Sequence, residues 1–207
     1  GGERVLAAVS GGVDSSVAAL LVHRAIGEQL IAIFVDTGLL RQGEAEDVVT
    51  TLRGQMGMEL IPVDAAAEFF DALRGVSEPY YLATKVGYFP EPFDYTRDTV
   101  WRGFEASLKR LRRDRVDLVQ IHESEQAGWE GVFGKGRTLE ALRQIREQGL
   151  ATHIGLTGSD LELMARILRE TDDFVSVITF CKYDLLVQSA KQLLAPVAAE
   201  RQVALIA

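Results

Sequence analysis

Ala8-Val9-Ser10-Gly11-Gly12-Val13-Asp14-Ser15-Ser16 joins two kinds of hydrophobic pattern. Before it, Arg4 to Val9 is a short apolar run that ends at a glycine pair. After it, Val17 to Ile26 places apolar residues in every turn, as a buried helix does. The stretch therefore reads as a loop from a strand end to a helix start. Several backbone N–H groups at a helix N-terminus lack intrahelical partners, and the macrodipole is positive there. Two glycines let the main chain approach an anion closely, and Ser10, Ser15 and Ser16 add hydroxyl donors. That combination suits phosphate or pyrophosphate. The plainer reading is a tight turn with Ser or Asp as N-cap, and a bare Gly-Gly-x-Asp-Ser does not separate the two.

Outward from this loop, strand and helix patterns alternate to the end of the sequence, with no linker rich in Pro, Gly or Ser. Strands are expected at about 4–9, 29–36, 58–63, 80–86, 116–122, 151–155, 174–180 and 203–207. Helices are expected at about 14–27, 43–56, 65–74, 96–111, 138–148, 159–169 and 189–201, with Gly75 at a C′ position, Asp94 or Thr96 as a cap and Ser159 as an N-cap. About eight strands alternating with about seven helices argue for an α/β protein of parallel strands joined by helical crossovers.

The 207 residues suffice for one large α/β domain or two small ones. A net charge of -8 argues against a nonspecific nucleic-acid or membrane-surface binder. The one basic cluster, Arg110, Arg112, Arg113 and Arg115, reads as a solvated helix C-terminus. One cysteine, Cys181, excludes an intramolecular disulfide and a Cys-rich zinc site, and its apolar surroundings predict a buried position. No metal ligand set is expected. The absence of a long apolar stretch or a signal-peptide pattern leads to the expectation of a cytoplasmic protein without membrane span.

Ser10-Gly11-Gly12-Val13-Asp14-Ser15-Ser16 resembles the PP-loop of the ATP pyrophosphatases. His23-Arg24-Ala25-Ile26-Gly27 and Phe34-Val35-Asp36-Thr37-Gly38-Leu39-Leu40-Arg41 resemble the pyrophosphatase domain of the GMP synthetases, a likeness running from about Glu3 to about Pro79. It implies that Ser10, Gly11, Gly12, Asp14, Ser15 and Ser16 hold the pyrophosphate of ATP with Mg2+ bridging oxygens, and that Val35 and Asp36 lie beside the adenine. Thr37 departs from the Asn usual in that family.

From Tyr80 onward the words change, within a second likeness that covers about Ala72 to Ala207. Tyr81-Leu82-Ala83-Thr84-Lys85-Val86-Gly87, Val116-Asp117-Leu118-Val119-Gln120-Ile121-His122 and His153-Ile154-Gly155-Leu156-Thr157-Gly158 resemble strands three, four and five of the aldo-keto reductase barrel, and Lys182-Tyr183-Asp184-Leu185-Leu186 resembles the segment after its sixth, in the aldose dehydrogenase branch. The resemblance implies Lys85 and His122 as two of four catalytic groups, the lysine lowering the pKa of a tyrosine acid and the histidine orienting the carbonyl. The family's Tyr and Asp belong to the part replaced here; Asp36-Thr37 echoes its Asp-Thr word without a following Tyr. Thr157 and Tyr183 fall near positions that line the nicotinamide cofactor.

Two partial likenesses meeting inside a βα period lead to the expectation of an engineered chimera, residues 1–78 from a doubly wound fragment and 79–207 from a barrel fragment, fused into one domain. A (βα)8-like barrel is the favoured architecture and an open doubly wound sheet the rival. The expected function is a scaffold with no intact catalytic site and no required cofactor, retaining weak binding of ATP with Mg2+ or of phosphate. The alternatives are an ATP-binding pyrophosphatase-like enzyme and an NADP-dependent aldo-keto reductase; no motif supports an interaction module. The expected partners are a phosphate or nucleotide ligand and, because the sequence stops at its last strand, a second copy docking on that uncovered strand.

Overall fold

The computed structural model describes residues 2–40, 43–77, 79–87 and 93–206. Arg41 of the first resemblance and Ala207 of the last expected strand lie outside the described residues. The chain divides into two compact units, 1–78 and 79–207.

The first unit is three βα periods. Strands β1 (Val5–Val9), β2 (Leu30–Asp36) and β3 (Glu59–Asp64) pair in parallel in the order β1-β2-β3. Helix α1 (Val13–Ile26) connects the first two, and α2 (Glu44–Val49), continued by a π-type segment over Thr50–Gln55, connects the second two. Ala19 of α1, with Leu52 and Val48 from the second connection, packs on Val9, Leu30, Ala32, Phe34 and Leu60, so both crossovers cover one face of the sheet. On the other face Leu6 keeps 65% of its surface exposed, and Val35, Ile61 and Val63 are exposed too. Helix α3 (Ala66–Arg74) follows; Gly75 caps it in a right-handed conformation, not the left-handed one expected at C′.

The second unit is a five-stranded parallel sheet in sequence order: β4 (Ala83–Val86), β5 (Val116–Ile121), β6 (Ala151–Thr157), β7 (Phe174–Ile178) and β8 (Ala204–Ile206). Its helices are α4 (Arg97–Leu111), α5 (Ser124–Phe133), α6 (Thr138–Glu147), α7 (Leu161–Glu170), α8 (Ser189–Leu193) and α9 (Ala195–Glu200). Val119, Ile121, Ile154, Leu156 and Val177 are fully buried, as are Phe104, Leu142, Ile145 and Ile167 of the helices. The α/β class with eight parallel strands is as the alternating pattern predicts; the strands belong to two sheets.

Several expectations are corrected. Strand β4 starts at Ala83 rather than Tyr80. The helix expected at about 189–201 is two, because Pro196 falls in the first turn of α9, where its missing N–H costs nothing but cannot continue α8. Asp160, not Ser159, caps α7, its carboxylate accepting from the Leu163 amide at 3.0 Å. Cys181 is exposed, at φ 53° in the loop after β7, rather than buried.

Candidate functional site

In the first unit the Ser10–Ser16 loop leaves β1 one residue beyond Val9, whose register partner is Phe34, so the loop and the Val35–Asp36 end of β2 share one edge of the sheet. Gly11 turns the chain at φ 83°, and a methyl added there would fall 2.5 Å from Val48 Cγ2. Gly12 precedes α1 at φ -70° and caps it without a side chain, so neither Ser nor Asp is the N-cap. The serines bind each other instead. Ser15 Oγ donates to the Gly12 carbonyl at 3.1 Å and accepts from the Ser10 amide at 3.2 Å, while the two hydroxyls share a 3.0 Å hydrogen bond. Because Ser15 has one proton and gives it to Gly12, Ser10 donates within that pair, and its oxygen accepts from the Gly12 amide at 3.4 Å. Ser10 and Ser15 thus shape the loop. A helix start leaves its first N–H groups, here those of Val13, Asp14 and Ser15, without intrahelical partners, so an anion at this loop would meet them.

Asp14 and Gly12 are exposed at this mouth, and Ser16 is half-buried. Asp36 uses Oδ1 to accept from the Gly38 amide at 2.7 Å, and its carbonyl takes the Ala65 amide at 2.8 Å. Val35 presents its side chain on the uncovered face. Serine, glycine and aspartate positions are therefore brought to one loop, with Val35 and Asp36 on the neighbouring strand end.

In the second unit Lys85 lies on β4, exposed, with Gln120 as its register partner; His122 follows β5, its amide donating to the Val86 carbonyl at 2.9 Å. The His122 side chain is 12% exposed, 3.8 Å from Glu123 Oε1. Tyr95 was not singled out from sequence, yet it ties this rim together. Its hydroxyl donates to the His122 carbonyl at 2.8 Å, its ring fills the space that a side chain at Gly87 would need, and its carbonyl accepts from Thr138 Oγ1 at 3.1 Å. Asp94-Tyr95-Thr96 held one local signal: Asp94 accepts from the Thr96 amide at 2.8 Å and from the Thr99 hydroxyl at 2.6 Å, and the Thr99 bond, followed by the Thr96 amide, holds its carboxyl below the usual range.

Thr157 ends β6 buried, its hydroxyl accepting from the Glu123 amide at 3.2 Å. Tyr183 is exposed in the loop after β7, where Asp184 accepts from the amides of Leu186 and Val187 at 2.7 Å and thrusts Leu185 and Leu186 into solvent. Thr157 thus stands at the end of β6 and Tyr183 in the loop after the neighbouring strand β7. Among the described residues no group of three or more His, Cys, Asp or Glu side chains could hold a metal ion, and no helix is long and apolar enough to cross a membrane.

Comparison with known proteins divides the chain in the same region. The tRNA methyl transferase HUP domain model matches residues 3–68. GMP synthase (glutamine-hydrolyzing) of Geobacillus kaustophilus is 63% identical over 79 residues, 38% of this chain and 16% of that protein, and its counterpart in Caldicellulosiruptor saccharolyticus is 60% identical over the same share. The chain thus spans about a sixth of the length of these relatives. An aldo-keto reductase of Bacillus halodurans superposes with a TM-score of 0.57 over 98% of this chain and 60% of that one, at 19% identity. One from Klebsiella pneumoniae, in complex with NADPH, gives 0.56 over 99% and 62%, at 18% identity. The chain joins a pyrophosphatase-type fragment to a reductase fragment, and the two family matches overlap at 62–68, within β3 and the start of α3. With the aldo/keto reductase model matching 62–207, well over half of its length, the chain belongs to the aldo/keto reductase family.

Proposed function

We propose that this chain is a designed fusion scaffold without a working catalytic site, and that its one competent ligand element is the Ser10–Ser16 loop, which takes the phosphates of a nucleotide such as ATP. The observation that supports this reading is the loop itself. A strand end, a left-handed glycine and a helix N-terminus meet at an exposed loop whose first helical N–H groups lack intrahelical partners, and Ser10 and Ser15 brace it through each other and the Gly12 carbonyl. Asp14 and Asp36 place carboxylates near that mouth, so the phosphates bind as their Mg2+ complex, the cation offsetting the repulsion.

The second unit holds counterparts of only two of the reductase's four catalytic groups, Lys85 and His122. In the first unit Asp36-Thr37 runs into Gly38-Leu39-Leu40, which supplies no phenol to give a proton to a reduced carbonyl. The scaffold therefore needs no cofactor and turns over neither parental substrate. Isothermal titration with Mg-ATP tests the binding half of this reading. Saturable heat that Gly12→Ala weakens tenfold or more supports it, and no heat from a cooperatively melting protein contradicts it. NADPH oxidation on adding an aldehyde would overturn the catalytic half.

A further inference from the structure

The outer helical face of the second unit carries a cleft that neither the loop nor the strand-end rim uses. Arg97, Asp98 and Trp101 of α4, with Gln144 of α6 and Gln148, its C-cap, line an open surface cleft of about 320 Å3. Trp101 donates its indole N–H to Glu105 Oε1, one turn along its own helix, at 3.0 Å. That bond holds the ring edge and leaves its faces without an aromatic or cationic partner among the described residues. Gln144, in the last turn of α6, and Gln148, its C-cap with helical φ and ψ, stand four residues apart and so lie on one side of the helix end. Neither side-chain amide has a hydrogen-bond partner among the described residues.

The charges here are already matched. Arg97 Nε donates to Asp98 Oδ1 at 3.1 Å and its Nη1 to Glu140 Oε1 at 3.3 Å, so an anion meets two carboxylates and a cation meets a guanidinium. A flat heteroaromatic ring gains most between two apolar walls, and this cleft has one, the rest of its lining being polar. One indole face and two carboxamides, each with paired donors and an acceptor, match a neutral ring that has an apolar C–H face and hydroxyls around its edge. We propose that this cleft is a binding site for a neutral pyranose sugar. The C–H face lies on Trp101, neighbouring hydroxyls meet Gln144 and Gln148, and the Arg97–Asp98 pair closes the rim.

The chain has two tryptophans, which gives the test an internal reference. Trp129 is packed on Phe133 with ring centroids 4.4 Å apart and is covered by Arg166 at 3.9 Å. The two indole N–H signals are followed by 1H–15N NMR, assigned with Trp101→Phe, while methyl β-glucopyranoside is added, with glycerol as the control polyol. The Trp101 signal is expected to shift saturably, with Kd on the order of millimolar, while Trp129 stays still and glycerol has no effect. Gln144→Ala with Gln148→Ala should weaken binding tenfold or more without lowering the melting temperature, since alanine suits a helix. A Trp101 shift that never saturates, an equal shift with glycerol, or unchanged binding by the double variant overturns the proposal. Saturable shifts confined to residues beside Lys85 and His122 overturn it as well.

Discussion

At the scale of single residues, the two glycines of the loop do different work. Gly11 sits at φ 83°, where an L side chain is strained by about 1–2 kcal/mol, and a methyl there meets Val48 Cγ2 at 2.5 Å. Gly11→Ala should therefore lower stability by about 2–3 kcal/mol, read as a drop in the thermal midpoint. Gly12 has an ordinary φ of -70°, and its added methyl would touch Ser10 Oγ at 3.4 Å. Gly12→Ala should melt like the parent while binding Mg-ATP more weakly; equal losses of stability in the two variants would contradict this division. The Gly-Gly word was legible in sequence, but which glycine the fold requires was not, because Val48 comes from a helix more than thirty residues away. Tyr95 was missed for the same reason. Its partners Gly87, His122 and Thr138 come together only through the strand order.

At the scale of elements, α6 and β7 are joined by one carboxylate. Asp173 accepts from Arg143 at 2.6 Å, from Arg146 at 2.7 Å and from Thr171 at 2.5 Å. Burial alone would raise its carboxyl, but the bonds from Arg143, Thr171 and Arg146 outweigh this and hold it at about 2. A carboxyl depressed in the folded state stabilises above its unfolded value, about 3.9, and that contribution is lost as pH falls from there toward about 2. Asp173→Asn should cost about 2 kcal/mol at neutral pH and flatten the acid limb of stability against pH in that window. An unchanged acid limb would show that the clamp contributes nothing. Most elements were legible from hydrophobic period alone. The exception was α5, because Gly128 at φ 61° breaks its helical run and leaves no continuous apolar stripe. The Ser159 cap failed on a tertiary contact: Ser159 gives both its amide and its hydroxyl to Glu125 of α5, at 3.0 and 2.6 Å, which leaves Asp160 to cap α7.

At the scale of the whole molecule, the join is visible in the words of the sequence and in the division into two units. The parallel class followed from the alternation of strands and helices. The grouping into two sheets, three strands and five, did not, since no local pattern records which strands pair. Among the described residues β8 pairs with β7 alone, and Ile206 on it stays 50% exposed. An edge of this kind is a template for pairing with a second copy, so the apparent mass by light scattering is expected to rise with concentration and Ile206→Lys to suppress that rise. A mass independent of concentration would contradict self-association through β8. Phosphate binding without turnover is open to one decisive measurement, 31P NMR of Mg-ATP with the full chain. Saturable broadening of the β and γ signals, weakened by Gly12→Ala, is expected, with no AMP or pyrophosphate accumulating. Signals that stay sharp at every protein concentration, or a growing pyrophosphate signal, would contradict it.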